Sequence, residues 1–287
     1  MTRAEIGIIG GSGLYDLSGI ENGREVHLQT PFGEPSDAYH VGNLGGRSVA
    51  FLPRHGGGHL LAPGRINARA NIHGFKQLGV ERILSVSAVG SMQEEIAPLD
   101  MVVPDQFIDR TRHRADTFFD AGPVVHVAFA DPICPDLARG LIRAVAAPVR
   151  VHGTGTYLCM EGPQFSTRAE SHLYRSWGVS VIGMTNLTEA RLAREAELCY
   201  ATLALVTDYD CWREGDEVAV DQILEILAQN AGHAAEVLGR CVAALSAERS
   251  CTCSEALASA ILTRPDRIPR PIRRRLDLLI GHRLGKE

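Results

Sequence analysis

The stretch from Tyr200 to Trp212, YATLALVTDYDCW, constrains this chain more than any other. It opens on an almost unbroken apolar run, Ala201 to Val206. A run of that length and composition predicts a strand buried on both faces, as in the parallel sheets of α/β proteins. Such sheets collect ligands at the carboxyl ends of their strands. Here that end delivers two carboxylates, Asp208 and Asp210. Side chains two apart share a face while the chain stays extended, so the two acids are expected to address one ligand together. Solvated loop acids are the plainer reading. Tyr209 and Trp212 weigh against it, because they concentrate aromatic rings in a chain that is only 6% aromatic.

Other glycine-rich turns follow predicted strands. Glu5 to Ile9 reads as a strand leading into Gly10-Gly11-Ser12-Gly13. Glycines there permit a tight turn and close approach to an anion, and Ser12 adds a hydroxyl. The spacing is not that of a dinucleotide or nucleoside-triphosphate loop. Asp37 to Val41 and Ser48 to Leu52 read as paired strands about a turn over Gly42 to Gly46. The second runs into Arg54-His55-Gly56-Gly57-Gly58-His59, where an arginine fork and imidazoles suit an anion. Arg82 to Ser87 is a third strand and ends in Ala88-Val89-Gly90-Ser91.

Between these, residues 66–78 read as a helix stopped by Gly79, residues 99–104 as a strand and 111–122 as a polar loop. Residues 135–145 read as a helix and 153–160 as a strand. Ser166 is expected to cap a helix that reaches Trp177. A strand over 179–184, a helix over 189–197 and a long amphipathic helix over 221–246 complete the pattern. No internal repeat or linker divides the 287 residues, so one α/β domain is the economical reading. Residues 1–246 would form it, with 247–287 a helical tail packed on the same domain.

A net charge of −5 offers nothing to nucleic acid, and no apolar run reaches the ~20 residues of a membrane span. No secretory leader is recognised, and seven scattered cysteines suit reduced thiols in a cytoplasm. Cys251-Thr252-Cys253 fits a strained redox pair or half a metal site, without a second pair at ligand spacing. Cys134 and Cys199 are candidates for proximity, and free thiols are the expectation.

The segments GIIGGSGLYD, TPFGEPSDA, PRHGGGH, INARANIHGFKQLGV, VSAVGSM, DQFIDRT, MEGPQFSTRAES, VIGMTNLTEARLAREAELCYA and TDYDCW occur in this order between residue 6 and about 246. Together they resemble the trimeric purine nucleoside phosphorylases, and within them the branch that cleaves 5′-methylthioadenosine. The resemblance implies a mixed, partly barrel-like sheet ringed by helices. It implies phosphate as co-substrate, no organic cofactor, no metal and a homotrimer. It places phosphate among Ser12, Arg54, His55, Ser87, the Ala88 amide and Thr185. It gives Asp208 the leaving purine and Asp210 the 6-amino group; the Asp208 pKa would need raising by burial or by a nearby carboxylate, for which Asp210 is the candidate. Phe165 and Ser166 would complete the base pocket, with Ile182 and Met184 against the substrate. His59, Val220, Ile223 and Leu224 would surround the 5′-substituent, and His126 would reach a neighbouring subunit's site. The branch implies phosphorolysis of 5′-methylthioadenosine; the alternative is a broader purine nucleoside or methylthioinosine phosphorylase. The tail's arginine run is followed by Leu276, Leu278, Leu279 and Ile280, so a helix laying these leucines over the active site is expected.

Overall fold

Strand β1 (Ile6–Gly10) is buried at every position. The computed structural model describes residues 3–17, 19–213 and 220–285, the side chains of 220–224 excepted. After β1 come β2 (Glu21–Val26), β3 (Tyr39–Leu44) and β4 (Arg47–Pro53). The turn between β3 and β4 is only Gly45-Gly46, both at positive φ, so Gly42 to Leu44 belong to the strand. Two left-handed residues match the twist of a two-residue hairpin, and glycine adopts them without strain. Helix α1 (Ala68–Gln77) is capped by the Asn67 side chain, and Gly79 at φ 80° follows it.

Strand β5 (Arg82–Ser91) runs through the predicted Ala88–Ser91 turn. Beyond it lie β6 (Met101–Val102), β7 (Gln106–Arg110), α2 (Pro135–Ala144), β8 (Val151–His152) and β9 (Thr156–Met160). Helix α3 (Arg168–Ser176) is capped by Thr167 rather than Ser166. Thr167 and Glu170 form a reciprocal capping box, which satisfies two amide donors where Ser166 would satisfy one. Then come β10 (Val181–Gly183), α4 (Asn186–Glu195), β11 (Cys199–Asp208), α5 (Val220–Ala244) and α6 (Arg270–Ile280).

Strands β4, β1, β5 and β11 lie side by side and parallel. β1 accompanies β5 only as far as Ser85, and β10 pairs antiparallel with Gly90 and Ser91. The sheet continues through β9 to β7, while β6 and β8 extend it beyond β11. This is a mixed sheet of eleven strands in one α/β domain. Helices α2, α4 and α5 pack against β11. No described helix is long and apolar enough to cross a membrane.

The tail covers its leucines differently from the expectation. Leu276, Leu279 and Ile280 join the same buried cluster as β1, β5 and β11. Arg275 lies 4.6 Å over the Phe32 ring. Glu197, just before β11, accepts from the Leu257 amide at 3.0 Å, His282 at 2.7 Å and Arg283 at 2.8 Å. These contacts tie the tail to the start of β11, the end away from Asp208.

Candidate active site

Parallel strands place their carboxyl ends along one edge. There a cavity of about 530 Å³ opens, lined from Ser12 after β1, Arg54 and His55 after β4, Ser87 and Ala88 in β5, and Asp208 ending β11. At its first end the turn Gly11–Leu14 closes with Leu14 N–H donating to the Gly11 carbonyl at 3.1 Å. A Cβ on Gly11 would lie 2.5 Å from the Val86 oxygen and 2.8 Å from Arg54 Nη1, so only glycine lets the loop sit this close. Thr185 lines the cavity as the N-cap residue of α4, and its side chain makes no capping bond. The amino end of α4 therefore adds its dipole to the same wall.

Arg54 is 1% exposed, and most of its fork is already engaged. Nε donates to Glu189 Oε1 at 2.5 Å and Nη2 to Oε2 at 3.1 Å. Nη2 also donates to Ser85 Oγ at 2.6 Å, and Nη1 to the Val86 carbonyl at 2.9 Å. A guanidinium has five N–H donors, so one on Nη1 remains for a ligand. Burial works to discharge Arg54, but the Glu189 carboxylate outweighs it and the pKa is raised. Ser85 and Tyr200 hydroxyls both donate to Glu189 Oε2 at 2.9 Å, and Asn186 donates to Ser85 and Tyr200. Sequence reading did not reach Glu189, Ser85, Asn186 or Tyr200.

Burial, then the Arg54 charge, pushes His55 down to about 4. The neutral ring donates from Nδ1 to the Leu61 carbonyl at 2.7 Å, which leaves Nε2 as an acceptor. His55 stacks on His59 with 4.2 Å between ring centroids. His59 also lines the cavity, and its Nδ1 pairs with Tyr15 Oη at 2.8 Å.

The two carboxyls form the other wall. Asp210 is at φ 53°, so the chain turns left-handed and extension does not continue past β11. They still face one space, because the Asp210 amide donates back to Asp208 Oδ1 at 2.8 Å. Thr207 Oγ1 donates to Asp208 Oδ2 at 2.6 Å. Burial raises the Asp208 pKa. Of the two expected causes burial is the one at work, and the Asp210 backbone N–H lowers the pKa. Burial also raises Asp210, opposed by a 2.6 Å hydrogen bond from Ser171 and reinforced by the Asp208 charge. Ser171, fully buried on α3, is a further residue that the sequence pattern did not reveal.

Ile182, Met184 and Phe165 line the cavity. Leu60, Ala62, Pro63 and Leu227 add apolar lining beside His59. Ser166 is not part of the lining, although its side chain acts on the Asp210 carboxyl. His126 is exposed and lies outside this lining, with its amide bonded to the Ala260 carbonyl. Val220, Ile223 and Leu224 fall outside the described side chains. No described tail residue lines this cavity.

The cavity at the carboxyl edge of this sheet thus carries Ser12, Arg54 and the amino end of α4 on one side and Asp208 and Asp210 on the other. Residues 5–243 match the Phosphorylase superfamily, and the chain belongs to that family. It is 58% identical to the S-methyl-5′-thioadenosine phosphorylase of Koribacter versatilis, over 99% of this chain and 98% of that one. It is 57% identical to that of Geobacter sulfurreducens, over 96% and 98%. The crystal structure of a methylthioadenosine phosphorylase from an antarctic soil metagenomic library superposes with a TM-score of 0.92. It is 49% identical, with 97% of this chain and 99% of that one covered.

Proposed function

We propose that this chain cleaves 5′-methylthioadenosine with phosphate, giving adenine and 5-methylthioribose 1-phosphate. The carrying observation is one cavity with an anion-binding wall and a wall of two buried carboxyls held above their ordinary pKa. The high-identity relatives of that name support the substrate. A phosphate oxygen bonds to C1′ as the C1′–N9 bond breaks, and the bonding pair leaves with the purine. The sugar passes through an oxocarbenium-like state, which the phosphate charge stabilises. Ser12, Ser87, Thr185 and the remaining Arg54 N–H hold phosphate, and His55 Nε2 accepts a phosphate proton.

The acids divide the remaining work. Asp210 has hydrogen bonds from the Ser171 and Ser166 side chains and the Cys211 backbone to support its anion. Asp208 has the Thr207 hydroxyl and the Asp210 amide, one side-chain donor fewer. The shared proton therefore rests on Asp208, which passes it to purine N7 as density builds there. Asp210 accepts from the 6-amino group and disfavours a 6-oxo group, which has no donor to offer. The apolar lining around Leu60 and Leu227 favours a methylthio group over a hydroxyl.

A cytoplasmic homotrimer, with His126 completing a neighbour's site, belongs to the same proposal. His126 sits beside Val124 and Leu262, which are 50% and 63% exposed and joined by a backbone hydrogen bond. That apolar surface calls for cover. The tail belongs to the same domain, a reading supported by Leu257, Leu276, Leu279 and Ile280 in the shared core. The test is adenine release from methylthioadenosine with and without phosphate, beside adenosine, inosine and methylthioinosine, with light scattering on the same sample. Full-rate turnover without phosphate rejects the reaction, equal rates on the 6-oxopurines reject the role of Asp210, and a fully active monomer rejects the trimer.

A further inference from the structure

Four thiols from three distant stretches meet near the start of β11, at the end away from Asp208. The sulfurs of Cys134, Cys199, Cys251 and Cys253 all lie within 4.8 Å of one another. Cys199 and Cys251 are 3.3 Å apart, far beyond an S–S bond, and all are free. Folding thus supplies the second pair that the sequence spacing of Cys251 and Cys253 lacks. Four sulfurs placed tetrahedrally at ~2.3 Å from a metal stand about 3.8 Å from one another. The cluster is already near that size. Cys134 and Cys199 are 1% exposed and Cys253 is 7% exposed, so three of the four ligands are shielded from competing water.

Two surroundings favour an anionic cluster. Cys134 is the N-cap residue of α2, so the positive end of that helix's dipole lies at the cluster. A cavity of about 430 Å³ borders Cys134, Cys199 and Cys251 and is lined by five arginines against two acids. A divalent ion with four thiolates carries two net negative charges, which that surplus offsets.

We propose that Cys134, Cys199, Cys251 and Cys253 bind one zinc-class divalent cation as a structural tetrathiolate that clamps the tail to the start of β11. Each thiol still protonated releases its proton to solvent as its sulfur binds. All four positions are filled by protein, so the site is closed and has no vacancy for chemistry. It is separate from the nucleoside site: along β11, Cys199 and Asp208 are nine residue steps apart, roughly 30 Å at strand rise.

The experiment uses the whole chain purified without chelator under reducing conditions. Elemental analysis should find one zinc per chain, released as a mercurial titrates the thiols. Cobalt exchanged into the site should show thiolate-to-metal charge-transfer and tetrahedral d–d absorption. Cys251→Ser/Cys253→Ser should lose the metal, and protease should then cut after residue 246, while kcat/KM at low temperature stays at the parent value. Should the double variant fail to fold, Cys251→Ser, which alters the partly exposed ligand, and the cobalt spectrum of the parent decide alone. No metal bound after added zinc, or fewer than seven alkylated cysteines in unreduced denatured protein, overturns the proposal. The second outcome would mean a disulfide.

Discussion

Replacing Glu189 by Gln should destabilise the protein and misaim Arg54 without weakening phosphate binding. Arg54 and Glu189 side chains are 1% and 3% exposed, so neither charge has water to fall back on. Glu189 Oε2 accepts from Arg54 Nη2, Ser85 and Tyr200, and Oε1 accepts from Arg54 Nε. Whichever way a glutamine amide is turned, its NH2 faces at least one donor, and the guanidinium loses its counter-charge. Removing one partner of a buried pair costs about 3–5 kcal/mol. At ~2–4 °C per kcal/mol, Tm should fall by on the order of 10 °C. Phosphate brings negative charge to the orphaned guanidinium, so added phosphate should raise the variant's Tm more than the parent's. Activity should fall in kcat rather than through a higher phosphate KM. Arg54→Met/Glu189→Leu should regain most of the stability, as apolar replacements of buried pairs do, yet show no phosphate-dependent Tm rise. Scanning calorimetry over a phosphate series with steady-state kinetics makes the test. A parent-like Tm for Glu189→Gln, or a smaller phosphate shift than the parent's, refutes the reasoning. The same pair means that Arg54→Ala strands a buried carboxylate and is no clean probe of phosphate binding.

Asp208→Asn should lower kcat/KM on methylthioadenosine by at least about 100-fold, with the fold intact because its carbonyl can still accept from Asp210 N–H. In the parent, the rate should fall as pH rises through the raised Asp208 pKa, and this limb should vanish in the variant; near-parental rates would exclude the acid role. Asp210→Asn should narrow the preference for methylthioadenosine over methylthioinosine by at least about tenfold, measured as the ratio of kcat/KM values. His73 is buried with Nδ1 unpartnered, and burial holds its pKa at about 4 against 6.5 unfolded. The unfolded chain takes up that proton first, so this stability is complete above pH 6.5 and is lost as pH falls toward 4. His73→Leu should flatten the slope of unfolding free energy by up to about 1.4 kcal/mol per pH unit in that window; an unchanged slope contradicts the assignment. Glu197→Ala should cost about 2 kcal/mol and expose the tail to protease at neutral pH, since His282, Arg283 and the Leu257 amide lose their common acceptor; uncut protein would show that the leucines alone hold it.

Sequence alone determined the features that depend on neighbours a few residues apart. The apolar run before Asp208 is β11, and the glycine turns after β1 and β4 are two corners of the cavity. Parallel strands must end along a common edge, so naming the strands nearly located the site. Motif order identified the family. Strands without an apolar pattern were invisible: β2 is almost wholly exposed and β7 largely so, and each exists because a partner strand completes its hydrogen bonds. Neighbouring Ser166 and Thr167 offered the same hydroxyl, and the capping-box spacing from Thr167 to Glu170 was the sequence signal that separates them. Tertiary structure decided what each polar group faces. Arg54 looked like an open fork until Glu189, 135 residues away, occupied most of it. Asp208 and Asp210 received different roles from the motif, but their partners, Thr207 for one and Ser171 for the other, appear only in the fold. Cys134 and Cys253 carry no sign of each other in the chain, yet β11, α2 and the tail bring their sulfurs together. Charge compensation and ligand geometry act through space, and sequence spacing records them only where the chain itself is short between the partners.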